Sequence, residues 1–308
     1  MPIFSRNRVV AMPDISTPRL GGIGRLGEHT VSRVGYGAMQ LERLRRDRPT
    51  AIALLRRAVE LGVDHIDTAH FYGNGFVNGL LREAITPADG VTIVTKIGAD
   101  PNPGGPVPLR FAQHPDELRA SVEANLRSLD LQQLPVVLLR RADAGPGMKA
   151  QADQVVDLDD QLETMIALRN QGKIGAFGIG SVGAEALRRS IPAGIVFVQN
   201  AYSMVSREDE AMLELSAAEN IAWVPFFPLG GAFAGFPKVT GQPVVAEAAQ
   251  RLGVTSAQIG LAWLLYHNSL ILIIPGTADI AHLAANVAAG AIEFDECTMA
   301  ELDTVPNG

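Results

Sequence analysis

From residue 31 onward the apolar and polar positions alternate between two periods. Short apolar runs of strand length, at 31–37, 65–67, 91–96, 134–140, 176–181, 196–200, 222–228 and 270–275, are bounded by glycine or proline. Between or after them come longer segments with apolar residues three and four apart, which is helical spacing. Ile52, Leu55, Ala58 and Val59 mark a helix over 51–61, closed by Gly62 as a left-handed cap. A second helix covers 77–85. Pro115 opens a third, with Leu118, Val122, Leu126 and Leu129 on one stripe, and Leu158, Leu162, Met165 and Ile166 define a fourth that ends before Gly172. Further helices are predicted at about 207–219, 255–267 and 279–288. The strands are apolar on both sides, as expected when helices cover one face and barrel layers the other. Strands and helices alternating in this way predict an α/β chain folded as a (β/α)8 TIM barrel, one domain over residues 1–308. A doubly wound open sheet would want a third glycine in the turn after the first strand, which 35–40 lacks.

Two kinds of segment interrupt the alternation. Gly22, Gly24 and Gly27 spell G-x-G-x-x-G, the dinucleotide fingerprint, but they follow Ser-Thr-Pro-Arg and lead into a β-like run instead of opening a helix, so a short N-terminal hairpin is predicted. The segments 98–114 and 142–157 are too long for plain turns. Both follow strands, which puts long loops at the C-terminal face, where barrels carry their chemistry.

Composition narrows the class of partner. With 308 residues, 47% hydrophobic and 19% charged, the chain can bury a large core, and no apolar run reaches the roughly 18 residues of a membrane span. Residues 1–16 have no continuous apolar segment and read as a loose extension, so a cytoplasmic protein is expected. A net charge of -7 without a long basic run argues against nucleic acid. The single cysteine, Cys297, excludes an intrachain disulfide and a thiolate metal cluster, and no metal site is predicted. A small-molecule partner remains, for a monomer or small homo-oligomer.

The candidate chemistry lies at strand ends. The second strand delivers Asp67, Tyr72 follows on its loop, and the third strand ends in Lys96, one of only four lysines in the chain. These could be a buried ion pair beside a core aromatic. They could equally be a proton donor with its tuning pair, since a nearby cation favours phenolate and a carboxylate keeps a buried ammonium charged. His65 alternates with Asp67 and reads as a packed core histidine, while His70 on the loop is a candidate substrate wall, as are Met39 and Phe71. A metal-dependent hydrolase would want histidines and carboxylates at several strand ends, which the sequence lacks.

Asp67-Thr68-Ala69 with Tyr72-Gly73, Val94-Thr95-Lys96, Gly172-Lys173-Ile174, Val198-Gln199-Asn200, Pro228-Leu229-Gly230 and Ile274-Pro275-Gly276-Thr277 resemble, in order and spacing, the aldo-keto reductases. The resemblance runs from about residue 35 to 289. It implies a (β/α)8 barrel, a nicotinamide cofactor, NADPH in preference to NADH, and hydride transfer to a carbonyl. In that reading Tyr72 is the acid, Lys96 lowers its pKa and Asp67 holds Lys96. Arg140 stands where most of the family has histidine. As a fixed cation it would grip the substrate, the alternative being a structural pair with a carboxylate such as Asp143. That arginine, with the run 224–231, resembles the branch of pyridoxal reductases and implies a small aromatic aldehyde such as pyridoxal. The resemblance further assigns Gly37, Ala38 and Met39 to the cofactor, and Ser181, Gln199 and Phe226 to its nicotinamide side, with Asn200 beside Gln199. Leu229, Gly230 and Gly231 are assigned to the pyrophosphate, and Gly276, Thr277, His282 and Asn286 to the adenosine. Gly180 departs from the family's usual serine, and Asp279 and His282 make a poorer 2′-phosphate clamp than arginine. The family also contains nicotinamide-binding regulatory subunits of channels, the alternative function; an intact Asp67, Tyr72 and Lys96 speaks against it.

Overall fold

The computed structural model describes residues 19–307 apart from 106, 108, 142, 146–148 and 232–234. The extension predicted over 1–16 lies outside the described residues. The chain begins with an antiparallel hairpin, β1 (Ile23–Leu26) and β2 (His29–Ser32), reversed at Gly27 with φ +64. The glycine-rich run therefore serves a turn, as its flanking residues predict. Leu26 and Val31 of this hairpin pack into an apolar cluster with Val94, Val136, Leu138, Phe197 and Leu272.

A parallel sheet of seven strands follows. Its members are β3 (Tyr36–Gly37), β4 (His65–Asp67), β5 (Thr92–Ile97), β8 (Leu134–Arg140), β9 (Ile174–Gly180), β10 (Phe197–Gln199) and β11 (Ala222–Trp223), neighbours in that order. The two numbers skipped belong to β6 (Ala99–Pro101) and β7 (Leu109–Phe111), an antiparallel hairpin inside the long segment 98–114. Helices α1 (Arg48–Glu60), α2 (Phe76–Ala84), α3 (Pro115–Leu129), α4 (Leu158–Asn170), α5 (Ala184–Ser190) and α6 (Glu210–Ala218) alternate with the strands. After β11 come α7 (Pro243–Leu252), α8 (Ser256–His267), α9 (Ile280–Ala288) and α10 (Glu296–Asp303).

Three predicted strands differ from the observed ones. The run 31–37 is divided, because Val31 belongs to the hairpin and only Tyr36 and Gly37 pair with β4. The run 222–228 keeps its ladder only to Trp223, since Pro225 and Pro228 offer no N–H, and Phe226 makes a single bridge to Ala201. The run 270–275 makes two single parallel bridges, Ile271 to Trp223 and Ile273 to Val34. It thus meets β11 on one side and the segment just before β3 on the other.

Alternation along the strands separates two environments. Ile66, Ile97, Val137, Leu139, Phe177, Ile179 and Val198 face the helices within one large core, where each fully buried aliphatic or aromatic side chain contributes about 1.5–3 kcal/mol. Val94, Val136 and Leu138 point the other way. Period two then places Asp67, Lys96, Arg140 and Gln199 on that same inner face, at the carboxyl ends.

Behind β4 and β5 the strand–helix contact is polar. Thr68 Oγ1 donates to Asn78 Oδ1 (2.8 Å), and Thr95 Oγ1 donates to Asn125 Oδ1 (2.6 Å). Asn78 Nδ2 donates to Asn125 Oδ1 and to Ser128 Oγ, while Asn125 Nδ2 donates to the Ser121 carbonyl at 3.0 Å. Both asparagines are fully buried. Truncating one orphans several partners at once. Asn125→Ala is expected to cost about 3 kcal/mol in urea unfolding; a loss under about 1 kcal/mol would show that water replaces the amide at little cost.

Candidate active site

The sheet register brings the inner-face residues together. Asp67 lies level with Val94, Lys96 with Leu138, and Arg140 with Gly180, which itself pairs with Gln199. Lys96 Nζ forms a short, buried ion pair with Asp67 Oδ1 and also donates to the Thr68 carbonyl at 3.1 Å. The second carboxylate oxygen, Asp67 Oδ2, accepts from Gln199 Nε2 at 3.1 Å. Both charges thus have hydrogen-bonding partners, the condition under which a buried pair persists. Gln199 was expected at a cofactor; the structure makes it a direct partner of Asp67.

Tyr72 reaches this pair from the loop after β4. Gly73, Asn74 and Gly75 are successive left-handed residues, with φ of +64, +55 and +78, that turn the chain into α2. Arg45 donates to the Gly73 carbonyl at 2.7 Å, and Gly75 N donates to the His70 carbonyl at 2.6 Å. Tyr72 is buried, stands edge-on to Phe71 at 5.1 Å, and has Lys96 Nζ 5.1 Å from its ring centre. His70 lines a side cleft of about 340 Å³ with Asn74, Asp100, Arg110 and Ser121. His65 is packed in the interior against Gly35, as predicted, with its Nδ1 3.6 Å from Asp64 Oδ1.

Electrostatics corrects one expectation. Burial raises the Tyr72 pKa and outweighs the lowering by Lys96; Asp67 adds to the rise and Arg140 opposes it, so the phenol sits above its ordinary value. Burial works against the Lys96 ammonium, but Asp67 and then Tyr72 carry its pKa above the ordinary lysine value. Lys96 thus acts in the predicted direction, but burial decides the net shift, and Tyr72 is a protonated donor.

The two arginines at the end of β8 divide their duties. Arg141 is buried and donates to Asp143 Oδ2 (2.5 Å), Gln161 Oε1 (2.5 Å) and the Val156 carbonyl (3.2 Å). The structural pair with Asp143 belongs to Arg141, not to Arg140. The Arg140 guanidinium lies 5.9 Å from the Phe111 ring centre, and its Nη1 is buried without a hydrogen-bond partner. Burial lowers its pKa and Tyr72 raises it.

The remaining predicted residues lie at strand ends, in the loops beyond them and in α9. Gly37, which ends β3, and Ala38 are buried, and Met39 is exposed. Ser181, at φ +57, receives Asp143 N and Ala144 N on its carbonyl. Gly180 has no space for a serine: a Cβ there would meet the Gln199 carbonyl oxygen at 2.5 Å and Leu138 at 3.1 Å. Asn200 binds inward, donating to Val182 O and Asp209 Oδ2, a structural role. Phe226 stands edge-on to Phe227 at 5.0 Å. Leu229, Gly230 and Gly231 follow partly exposed, with both glycines left-handed. Gly276 and His282 are exposed, and Thr277 and Asn286 partly so. Asp279 caps α9 by accepting from His282 N at 2.8 Å. Lys238 was missed by sequence reasoning: its side chain lies beside Gly231, and lysine scarcity was the available signal.

Residues 33–306 match the Aldo/keto reductase family, and the chain belongs to that family of oxidoreductases. It is 41% identical over 290 residues to pyridoxine 4-dehydrogenase of Escherichia coli (strain K12), covering 91% of this chain and 96% of that protein. A probable aldo-keto reductase 1 of Glycine max is 25% identical, with coverage of 90% and 86%. Among solved structures, an aldo-keto reductase from Klebsiella pneumoniae in complex with NADPH superposes with a TM-score of 0.76 at 26% identity, covering 92% of this chain and 95% of that one.

The raised pKa values have a measurable sign. Above about pH 10 the folded chain retains protons on Tyr72 and Lys96 that the unfolded chain releases, so stability falls as pH rises there. In absorbance titration at 295 nm, the difference between wild type and Tyr72→Phe is expected to show one phenol ionising above the ordinary tyrosine value of about 10. A Tyr72 phenolate formed below pH 9 would contradict the burial argument.

Proposed function

We propose that this chain is an NADPH-dependent carbonyl reductase in which Tyr72 is the proton donor, Lys96 and Asp67 its tuning pair, and Arg140 the grip on the substrate. The carrying observation is the buried Lys96 ammonium, held between Asp67 and the Thr68 carbonyl under the Tyr72 ring at the carboxyl end of the sheet. A closed eight-stranded barrel of one domain accompanies this reading. It is supported by the single bridges of Ile271 to Trp223 and of Ile273 to Val34, the contacts an eighth strand at 270–275 would make.

The residues at the mouth fit a dinucleotide. Gly230 and Gly231 carry no side chain beside Lys238, and the cation and the bare backbone together suit a pyrophosphate. Gln199, Ser181, Phe226 and the 37–39 turn would hold the nicotinamide, and the 276–286 segment the adenosine. NADPH, when bound, supplies the hydride. Reduction of a carbonyl develops negative charge on its oxygen, and Tyr72 would donate its hydroxyl proton there. Lys96 then stabilises the phenolate left behind, and Asp67 and the Thr68 carbonyl keep Lys96 in place. Burial holds the proton on Tyr72 until the carbonyl arrives.

Arg140 points to the substrate class. It presents a guanidinium whose buried Nη1 lacks a partner, while the nearby carboxylates, Asp67 and Asp143, are paired with Lys96 and Arg141. An aldehyde beside an ionised ring hydroxyl would supply the missing anion. Pyridoxal has that chemistry, and the similarity to a pyridoxine 4-dehydrogenase supports it.

Tyr72→Phe is expected to lower kcat/KM by about 10²–10⁴-fold while NADPH still binds by fluorescence titration; unchanged turnover would remove Tyr72 from its role. Pyridoxal should be reduced with kcat/KM at least about tenfold above that of benzaldehyde. If benzaldehyde does as well, the substrate assignment is wrong. KM should be lower for NADPH than for NADH, and the reverse order would overturn the cofactor preference.

A further inference from the structure

Gln113 closes the long segment 98–114, two residues before α3, and is buried although it belongs to a loop. Its Nε2 donates to two main-chain carbonyls, Gly98 O at 2.5 Å and Arg140 O at 2.9 Å. One lies two residues beyond Lys96, and the other belongs to Arg140 itself. The two backbones approach so closely that Gly98, at φ +93, has no space for a Cβ, which would collide with the Arg140 carbonyl oxygen. One amide thus pins the ends of β5 and β8 together where the two cationic side chains leave the sheet.

The orientation of that amide is dictated from a distance. Arg141 only donates, so Gln161, fully buried on α4, must turn Oε1 toward Arg141 Nη1. Gln161 Nε2 then points at Gln113, donating to its carbonyl at 2.8 Å and its Oε1 at 3.0 Å. With Oε1 engaged, Gln113 has Nε2 left for the two strand ends. A fourth member, Gln154, accepts from Gln113 N at 2.9 Å. The relay starts on the side chain of Arg141 and ends on the backbone of Arg140, and it gathers both long loops on the way.

Arg140 needs such a fixture because its side chain makes no hydrogen bond among the described residues. Its guanidinium lies 5.9 Å from the ring centre of Phe111, two residues before Gln113, and feels the charge of Tyr72, so its position depends chiefly on its backbone. We propose that Gln113 is a positioning residue that sets where the Arg140 guanidinium stands relative to Lys96, and thereby sets the preference for carbonyl substrates carrying an adjacent anion. This rests on the reading of Arg140 as the group that meets the substrate.

The test compares wild type, Gln113→Met, Arg140→Met and the double variant. Each is assayed with 2-hydroxybenzaldehyde, whose aldehyde adjoins an ionisable hydroxyl, and with benzaldehyde; NADPH affinity and melting temperature are measured alongside. Gln113→Met is expected to raise KM for 2-hydroxybenzaldehyde about tenfold while kcat and KM for benzaldehyde and the NADPH affinity change less than about twofold. In the Arg140→Met background it should add nothing further, since the two act as one unit. Equal losses on both aldehydes, or full additivity in the double variant, would reduce Gln113 to a structural support and overturn the proposal. If Arg140→Met shifts the substrate preference and Gln113→Met does not, this inference alone falls. If Arg140→Met leaves the preference unchanged, the reading of Arg140 falls and this inference with it. Should Gln113→Met fail to fold, Gln161→Met carries the same expectation at about threefold, and an unchanged preference there overturns it equally.

Discussion

The structure depends on one nearly buried ion pair, Lys96 with Asp67. Two charges removed from solvent are costly unless their remaining hydrogen-bonding capacity is met. Here the Thr68 carbonyl takes a second ammonium proton and Gln199 occupies the second carboxylate oxygen. Meeting those demands draws in three strands, since Asp67 and Thr68 belong to the β4 end, Lys96 to β5 and Gln199 to β10. Asp67 and Gln199 are 132 residues apart in the chain, so the pair can be satisfied only when the sheet is curled enough to bring them together.

The polar layer behind the sheet follows from the same demand. A strand whose inner face ends in a charge must not slide, because a shift of one residue would turn that charge toward the helices. Burial of an apolar face already specifies register, and hydrogen bonds behind the strand fix it further. Thr68 and Thr95, the outward-facing neighbours of Asp67 and Lys96, are tied through Asn78 and Asn125 to α2 and α3. Elsewhere, as along β8 and β9, the outward face is aliphatic or aromatic.

Much of this architecture was legible because its signals are local. The apolar run 134–140 identifies β8 with its observed bounds, and the three–four spacing after Pro115 identifies α3 from its first residue. Other elements carry no comparable signal. Short α5 spans only seven residues, and β6 and β7 form in a proline- and glycine-rich run that reads as loop. Within the site, Asp67, Lys96 and Arg140 are visible as charges ending apolar runs. The upward shift of Tyr72 was not visible, because it reflects how completely the fold buries the ring, a tertiary property. Nor does the Arg140–Arg141 dipeptide disclose which member enters the site until alternation is anchored by Val136 and Leu138 on the inner face.

The hairpin at the start of the described chain bears on how firmly the site is held. By wedging Leu26 and Val31 against Val94, Val136 and Leu138, it stoppers the interior at the end remote from Tyr72. Val94 and Leu138 stand two residues before Lys96 and Arg140 on the same face, so the hairpin braces the strands beneath both cations without touching either.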